Sequence, residues 1–571
     1  MSTGRRAKVL LDPVLLGVGL MVMVGLILTL LMLFVLVFSS LNKGLLSEGW
    51  RPSLVNFQEI VGDSKFWTVV SNTSISGIGT VAVMLIWAIP FAWLYTRTDL
   101  PGKKILVAFL TVKIAVPSFL VALGYVLLLN PANGIANIIV SNVFNLENPP
   151  FNVYSLTWII FLQGTALVTP TFFMILPTFS AIDAALEEAA FASGVSKWTT
   201  LRRVVLPLAG PVILSASIYF FIIAVEMFDY AGMIGLPRRI IVFSTWIYQL
   251  VVNPTMDVPH YGEAAALGIF GVGVISLLTI LYVWSIRRAE RYAVVTGKRS
   301  QQSATRLSRT EKLLAWIFIG AYAAIEFVIP VCMLIWTSLL PYVQPPSLAA
   351  MKHLSFNSYR DIWPEVPPLL TNTVILMLAV PTLAVMTSMC TAWVITRTRL
   401  PGRNAIEFAL MAAIAVPAIV GALSFLYLGL SIYKTVPIYT TIWLMVIAIG
   451  AREVTWGNRT ISGAMLQLHR EMEEACSVSG ISRGRTFISV VLPIVSPALL
   501  FSWFWLSLLT VRNLTVPIML VRPNTEVLAT AIWAFNAAGK SSYASAVGVI
   551  LLLLVGAMVA LFQLVVRRKH V

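Results

Sequence analysis

The sequence predicts an all-α membrane protein of about twelve transmembrane helices, arranged as two parallel six-helix repeats. Three observations carry that expectation. Of the 571 residues 58% are hydrophobic and 11% charged, with a mean hydropathy of +0.88, whereas about a quarter of the residues of a soluble chain are charged. Apolar runs of about 20 residues, the length a helix needs to cross hydrocarbon, recur along the whole chain, and the alternation of a β-barrel strand is absent. The second half also repeats the first. Residues 72–128 align without a gap on 372–428, pairing Asn72-Thr73 with Asn372-Thr373, Thr96-Arg97-Thr98 with Thr396-Arg397-Thr398, Leu100-Pro101-Gly102 with Leu400-Pro401-Gly402, and Ala115-Val116-Pro117 with Ala415-Val416-Pro417. Further on the offset becomes 286, carrying Glu188 onto Glu474, Gly194 onto Gly480 and Pro207 onto Pro493.

Taken in order, the apolar runs fall near 13–41, 66–96, 105–130, 151–179, 208–232 and 262–286 in the first half. In the second they fall near 312–340, 369–396, 404–432, 434–460, 494–520 and 543–566. The first run is too long for a signal-peptide core and lacks a small-residue cleavage site, so it reads as a retained helix. The division that follows is a first half over 1–290, with its repeat core at about 70–286, a basic linker over 291–311, and a second half over 312–571, with its core at about 370–566.

The net charge of +16 sits just outside the apolar runs, where positive residues set topology; nucleic acid is not an expected partner. Arg5, Arg6 and Lys8 precede the first run, Arg97, Lys103 and Lys104 separate the second and third, eight more fill the stretch 287–312, and Arg567, Arg568 and Lys569 close the chain. With both termini cytoplasmic and six spans per half, all these clusters share the cytoplasmic side, and the loops at 42–65, 131–150, 233–261, 341–368 and 521–542 lie outside. An even number of spans makes the two repeats parallel, related by an axis along the membrane normal. The arginine of Thr-Arg-Thr-x-Leu-Pro-Gly is expected to snorkel to headgroups while Pro-Gly turns the chain. Pro117 and Pro417 lie inside spans and permit kinks, serving either flexing or packing. Cys332, Cys390 and Cys476 form no disulfide or metal pattern and read as small packing residues.

One polar insert stands out because it occurs twice. Glu187-Glu188-Ala189-Ala190-Phe191-Ala192-Ser193-Gly194 runs to Leu206-Pro207, and Glu473-Glu474-Ala475-Cys476-Ser477-Val478-Ser479-Gly480 runs to Leu492-Pro493. Alanine and glutamate favour a short helix, glycine stops it, and Ser196 or Ser482 caps the next. Small side chains let another surface come close, and flanking charges offer hydrogen bonds at its rim. One copy alone could be a solvated amphipathic loop; two at fixed spacing on the cytoplasmic side of both halves read as docking surfaces.

The pattern Glu-Ala-Ala-x-x-x-Gly-x9-Val-x-Leu-Pro, with Cys476 replacing the second alanine of copy two, resembles the cytoplasmic signature of permease subunits in binding-protein-dependent ABC importers. The resemblance covers about 70–290 and 370–571 and implies a type I ABC importer permease fold. It also implies a bacterial cytoplasmic (inner) membrane location, an extracytoplasmic solute-binding protein, and two ATP-binding subunits docked on the cytoplasmic face. Carried over by position, Glu187, Glu188, Ala189 and Gly194, with Glu473, Glu474, Ala475 and Gly480, would form the ATPase-coupling sites. The chain itself would be no enzyme and hold no cofactor, because ATP and magnesium belong to the partner ATPases; the stretch Ala534 to Ser541 ends in Gly-Lys-Ser but lacks the first glycine of a phosphate loop. A fused pair resembles the ferric-iron group, whose relatives carry thiamine, polyamines or phosphonates, which makes ferric iron the first-ranked solute.

Ionisable residues in hydrocarbon are costly and mark pathways by default. Those inside the expected spans are Lys113, Glu226, Asp229, Glu326, Arg452, Glu453, Arg459 and Arg512, of which Glu226, Asp229, Arg452, Glu453 and Arg512 are the translocation-path candidates; no metal site is expected. At offset 286 Glu226 falls on Arg512, so the two are expected to pair or gate across the axis, or else to meet water at the membrane edge. Arg452-Glu453 matches Ala166-Leu167 and reads as substrate contact or as buried structural pairing. The rival class is an ion-coupled secondary transporter using Glu226, Asp229 or Glu326 for protons.

Overall fold

The computed structural model describes residues 12–44, 49–252, 258–290 and 305–568. The basic residues at 5, 6, 8 and 569 and the linker stretch 291–304 lie outside the described residues. The first half contains α1 (Pro13–Leu41), α2 (Phe66–Arg97), α3 (Lys104–Lys113), α4 (Ser118–Leu129), α5 (Leu156–Ala181), α6 (Ala184–Ala192), α7 (Leu206–Glu226) and α8 (Tyr261–Glu290). The second half repeats the order with α9 (Arg309–Ser338), α10 (Val366–Arg397), α11 (Arg403–Ala412), α12 (Ala418–Ser431), α13 (Ile442–Leu466), α14 (Glu471–Val478), α15 (Leu492–Val511) and α16 (Ser541–Arg568).

Among the described residues nine helices are long and apolar enough to cross a membrane: α1, α2, α5, α8, α9, α10, α16, and α7 and α15 together with the turns leading into them. The bent pair α3–α4 makes a tenth. α11–α12 repeats that arrangement, and α13 has 25 residues but carries Arg452, Glu453 and Arg459. Counting both brings each half to six. The bend between α3 and α4 is 91°, and it falls where the sequence places Pro117. That proline is held extended at φ −62°, ψ 133°, and Pro417 repeats it at φ −54°, ψ 148°; neither can donate a backbone bond, so the helix restarts there in a new direction. Leu16, Leu20, Ile78, Leu277, Ile280 and Leu553 are more than half exposed on the spans, an apolar outer surface that suits lipid.

Each half lends its first helix to the other. Val18 and Val22 of α1 share a core with Ala384, Val454 and Phe487, and a Cβ on Gly25 would stand 2.6 Å from the Thr387 methyl of α10. Reciprocally, Ala315, Ile319 and Tyr322 of α9 pack among Phe91, Phe172 and Phe220, and a Cβ on Gly124 would meet the Pro330 backbone at 2.6 Å.

The expected external loops at 233–261 and 521–542 are only partly loops. Helices Phe243–Val252 and Leu528–Ala537 fold inward and bury Trp246, Ile247, Leu528 and Ile532. The repeated Asn-Thr pair explains why. Thr73 Oγ1 accepts from Phe243 N at 2.9 Å and Thr373 Oγ1 from Leu528 N at 3.0 Å. Asn72 Nδ2 donates to Ile241 O, and Asn372 Nδ2 to Asn524 O and Glu526 O. Start-of-helix donors that would otherwise be orphaned are thus satisfied inside the protein.

α6 and α14 lie on one face. Asp12, which caps α1, accepts from Ser482 Oγ beside α14 at 3.0 Å. The far end of α1 meets the start of α8 through Asn56, which donates to Asn42 O and crowds Gly262. α8 then runs back along α7, the next span after α6, where Ser285 and Ser215 are 2.8 Å apart.

Candidate functional site: two motif helices and a polar seam

α6 starts at Asp183, whose carboxylate accepts from Ala185 N at 3.0 Å. It ends where Gly194 takes φ +76° and Val195 N returns to Ala190 O at 3.0 Å. α14 has no side-chain cap, but Glu471, Glu473 and Glu474 occupy its first turn, where the helix N-terminus favours negative charge. Its end repeats the first, with Gly480 at φ +76° and Ile481 N on Cys476 O at 3.0 Å. Ser196 and Ser482 cap the following turns as the sequence predicts, accepting from Thr199 N and Arg485 N at 3.3 Å.

Within each copy the two glutamates part. Glu187 is 2% exposed and ion-paired with Arg97 at 3.1 Å, while Glu188, Ala189 and Gly194 are exposed. Glu473 is half-buried and paired with Arg397 at 3.4 Å, while Glu474, Ala475 and Gly480 are exposed. Burial lifts the Glu187 carboxyl above the ordinary carboxylate range, and Arg97 offsets only part of that lift. Arg97 does not snorkel as expected: it is 2% exposed and donates Nε and Nη2 to Phe179 O at 3.1 and 2.7 Å. The carbonyls at the end of α5 lack helical partners, and they draw the guanidinium inward. Sequence reading missed both arginines as part of the site, although their shared offset of 300 was the available signal.

The first residues of α9 close against this face. Lys197 pairs with Glu311 at 2.5 Å, and Asp99 with Lys312 at 2.7 Å. Thr305 N donates to Arg97 O at 2.9 Å, and Leu307 N to Asp99 Oδ1 at 2.8 Å. The hydrogen bond from Lys312, followed by that from Leu307, pulls the Asp99 carboxyl below the usual carboxylate range.

The path candidates fall on a seam between the halves, with one correction. Glu226 does not pair with Arg512. Its Oε1 accepts from Arg452 Nη2 at 2.7 Å, and its Oε2 from Ala418 N, the first residue of α12, at 3.3 Å. Arg512 instead lies in the field of Asp229 and Tyr230, and Asp229 accepts from Ser118 Oγ. Equivalent positions meet across an axis only when their helices face each other there. The end of α7 faces the start of α12 and the middle of α13 instead. Glu453 is buried beside Arg452 at 7% exposure. Ala166, the counterpart of Arg452, offers only its carbonyl, to Lys113 Nζ at 3.1 Å, and Lys113 also pairs with Glu326 of α9 at 2.6 Å.

Comparison with known proteins agrees with this architecture. The family described as binding-protein-dependent transport system inner membrane component matches residues 66–291. The ferric transport system permease protein FbpB of Actinobacillus pleuropneumoniae is 23% identical over 522 residues, covering 89% of this chain and 72% of that protein. The putative ferric transport system permease protein FbpB 1 of Haemophilus influenzae is 23% identical over 464 residues, covering 78% and 69%. The sulfate transport system permease protein CysW of Escherichia coli is 28% identical over 196 residues, covering 34% and 60%. Two relatives align across both halves and the third only with part of the chain. A family match over 66–291, relatives that align across most of both halves and a helical fold built twice from the same order of elements converge: the chain is a binding-protein-dependent ABC importer permease of the fused two-domain type, a multi-pass inner-membrane transport subunit that carries the family's domain over 66–291.

Proposed function

We propose that this permease carries ferric iron, delivered by an extracytoplasmic binding protein, and that two ATPase subunits dock on α6 and α14. The observation that carries the docking is the pair of exposed Glu-Ala surfaces on one face, Glu188-Ala189 and Glu474-Ala475, each on a short helix tied to the spans. That face is the cytoplasmic one, with both termini on it, by the distribution of basic residues. ATP and magnesium are held by the partners. Ferric iron is favoured because the two relatives aligned over most of the chain are ferric permeases by name.

We place the translocation path along the seam of Glu226, Arg452, Asp229 and Arg512, where charged side chains of the two halves come together. With the Glu226–Arg452 pair made, the halves are held together at the level of Ala418. The chemical logic is that ATP-driven closure of the partners moves α6 and α14 and so rearranges this seam.

Reconstitution of the permease with its ATPase and binding-protein partners in liposomes tests the reading. ATP-dependent uptake of radioactive ferric iron is expected, with no uptake when the ATPases are omitted. Uptake by the purified chain alone, driven by a proton gradient, would refute it in favour of a secondary transporter. ATP-driven uptake of sulfate, thiamine, a polyamine or a phosphonate without iron would replace the solute and keep the machinery.

A further inference from the structure

We infer that Arg97 and Arg397 are positioning residues for energy coupling: each clamps one motif helix to the ends of two spans so that force applied at the motif reaches the membrane core. This inference rests on the reading of α6 and α14 as the ATPase-docking helices.

The clamp is built twice from corresponding residues. Arg97, the last residue of α2, donates Nε and Nη2 to Phe179 O, donates Nη2 also to Ile182 O, and ion-pairs through Nη1 with Glu187. Arg397, the last residue of α10, donates Nη2 to Met465 O and to Leu468 O, the latter at 2.8 Å, and ion-pairs through Nε with Glu473. Each acceptor maps onto its counterpart by the same offset: 465 − 179, 468 − 182 and 473 − 187 all equal 286. One planar guanidinium therefore joins the end of α2, the end of α5 and the helix α6, and a second joins α10, α13 and α14.

Arginine suits this task better than lysine. A fork of five donors can satisfy two terminal carbonyls and a carboxylate together, whereas an ammonium has three donors about a single point. A buried ion pair is weak evidence for stability; its better-attested use is to set register, which is what a lever requires. The inward Glu187 and the outward Glu188 are adjacent on one turn, so a push on the exposed face is delivered one residue from the clamp. The two clamps differ in grip. Glu187 is 3% exposed at its side chain and Glu473 is 23% exposed, with the longer contact. The Arg97 backbone also holds Thr305. The first half is the stiffer lever.

The test uses the full complex in lipid nanodiscs and liposomes, comparing Arg97→Ala, Arg97→Lys, Arg397→Ala and Glu187→Gln with the unaltered protein. Co-purification of ATPase subunits, ATP hydrolysis and solute uptake are measured on the same preparations. For Arg97→Ala the ATPases are expected to remain bound and to hydrolyse ATP, while uptake per ATP falls about tenfold, toward the lower end of typical coupling free energies. Arg97→Lys recovers part of that loss, and Arg397→Ala loses less than Arg97→Ala. A merely structural role would lower hydrolysis and uptake in proportion. Unchanged uptake per ATP in Arg97→Ala overturns the inference. If that variant does not fold, Glu187→Gln, which keeps the side-chain shape and removes the charge, decides it by the same ratio. Glu188→Arg is the separate control: normal ATPase binding and uptake in that variant would overturn the docking reading itself.

Discussion

Glu187 and Glu188 are neighbours in sequence with opposite environments, one sealed against Arg97 and one open to water. Successive residues of a helix point about 100° apart, so a pair of like residues at a packed surface divides into an inner and an outer member. The expected consequence is that Glu188→Arg or Glu474→Arg uncouples ATP hydrolysis from uptake without unfolding the spans, measured as uptake per ATP at unchanged thermal stability. The effect should be larger for Glu188, whose helix is the more firmly held. The seam makes a second prediction at this scale. Glu226 bridges to Arg452, so reversal of either charge should impair uptake by at least severalfold, because the other charge is left without its partner in a partly buried site. Reversal of both, Glu226→Arg with Arg452→Glu, should restore part of it. Absence of rescue, or rescue by pairing Glu226→Arg with Arg512→Glu instead, would show that the Glu226–Arg452 pair is not the working one.

At the scale of the element, each motif depends on its stop. Gly194 and Gly480 both take φ +76°, a conformation that side chains resist, and a Cβ at either would meet no atom within 4 Å. Any penalty is therefore backbone strain. Gly480→Val should cost about 1–2 kcal/mol locally, read as faster hydrogen exchange over 471–486 with the spans unaffected. The start of α9 is held by Asp99, and its pH dependence has a definite sign. Because the folded-state carboxyl is held below its usual range, its stabilisation is complete above the ordinary carboxylate pKa and is lost only as pH falls through the lowered value. Protease access to 305–312 should thus stay constant across neutral and mildly acidic pH and rise only below the ordinary carboxylate range. Asp99→Asn should abolish that step; since Asp99 and Lys312 are each about one-third exposed at the side chain, the effect should be modest.

At the scale of the whole molecule, the exchange of first helices locks the halves together independently of the covalent linker. α1 fills the core of the second half and α9 that of the first. A protease site introduced within 291–304 and cut after membrane extraction in mild detergent should leave both fragments co-eluting as one species. Separation into two half-size particles would contradict the exchanged packing. Fusion keeps the halves at equal dose, but the exchanged helices supply the physical contact.

Much of this architecture was legible in the residues themselves. Hydropathy marks the spans because an unpaired backbone cannot cross hydrocarbon. The offsets of 300 and 286 mark the repeat because both halves keep the same polar, proline and glycine residues at matched positions: Asn72 with Asn372, Pro117 with Pro417, Gly194 with Gly480. The caps at Ser196 and Ser482 were readable because capping is a local interaction, settled within four residues. Tertiary structure decided everything that depends on which helix lies beside which. It drew Arg97 away from the headgroups to the carbonyls of Phe179 and Ile182, folded 243–252 and 528–537 inward under Thr73 and Thr373, and assigned Glu226 to Arg452 in place of Arg512. Each of these contacts joins residues more than 80 positions apart. Local periodicity records only that a side chain leaves one face of its own helix, and the partner waiting on that face is set by packing.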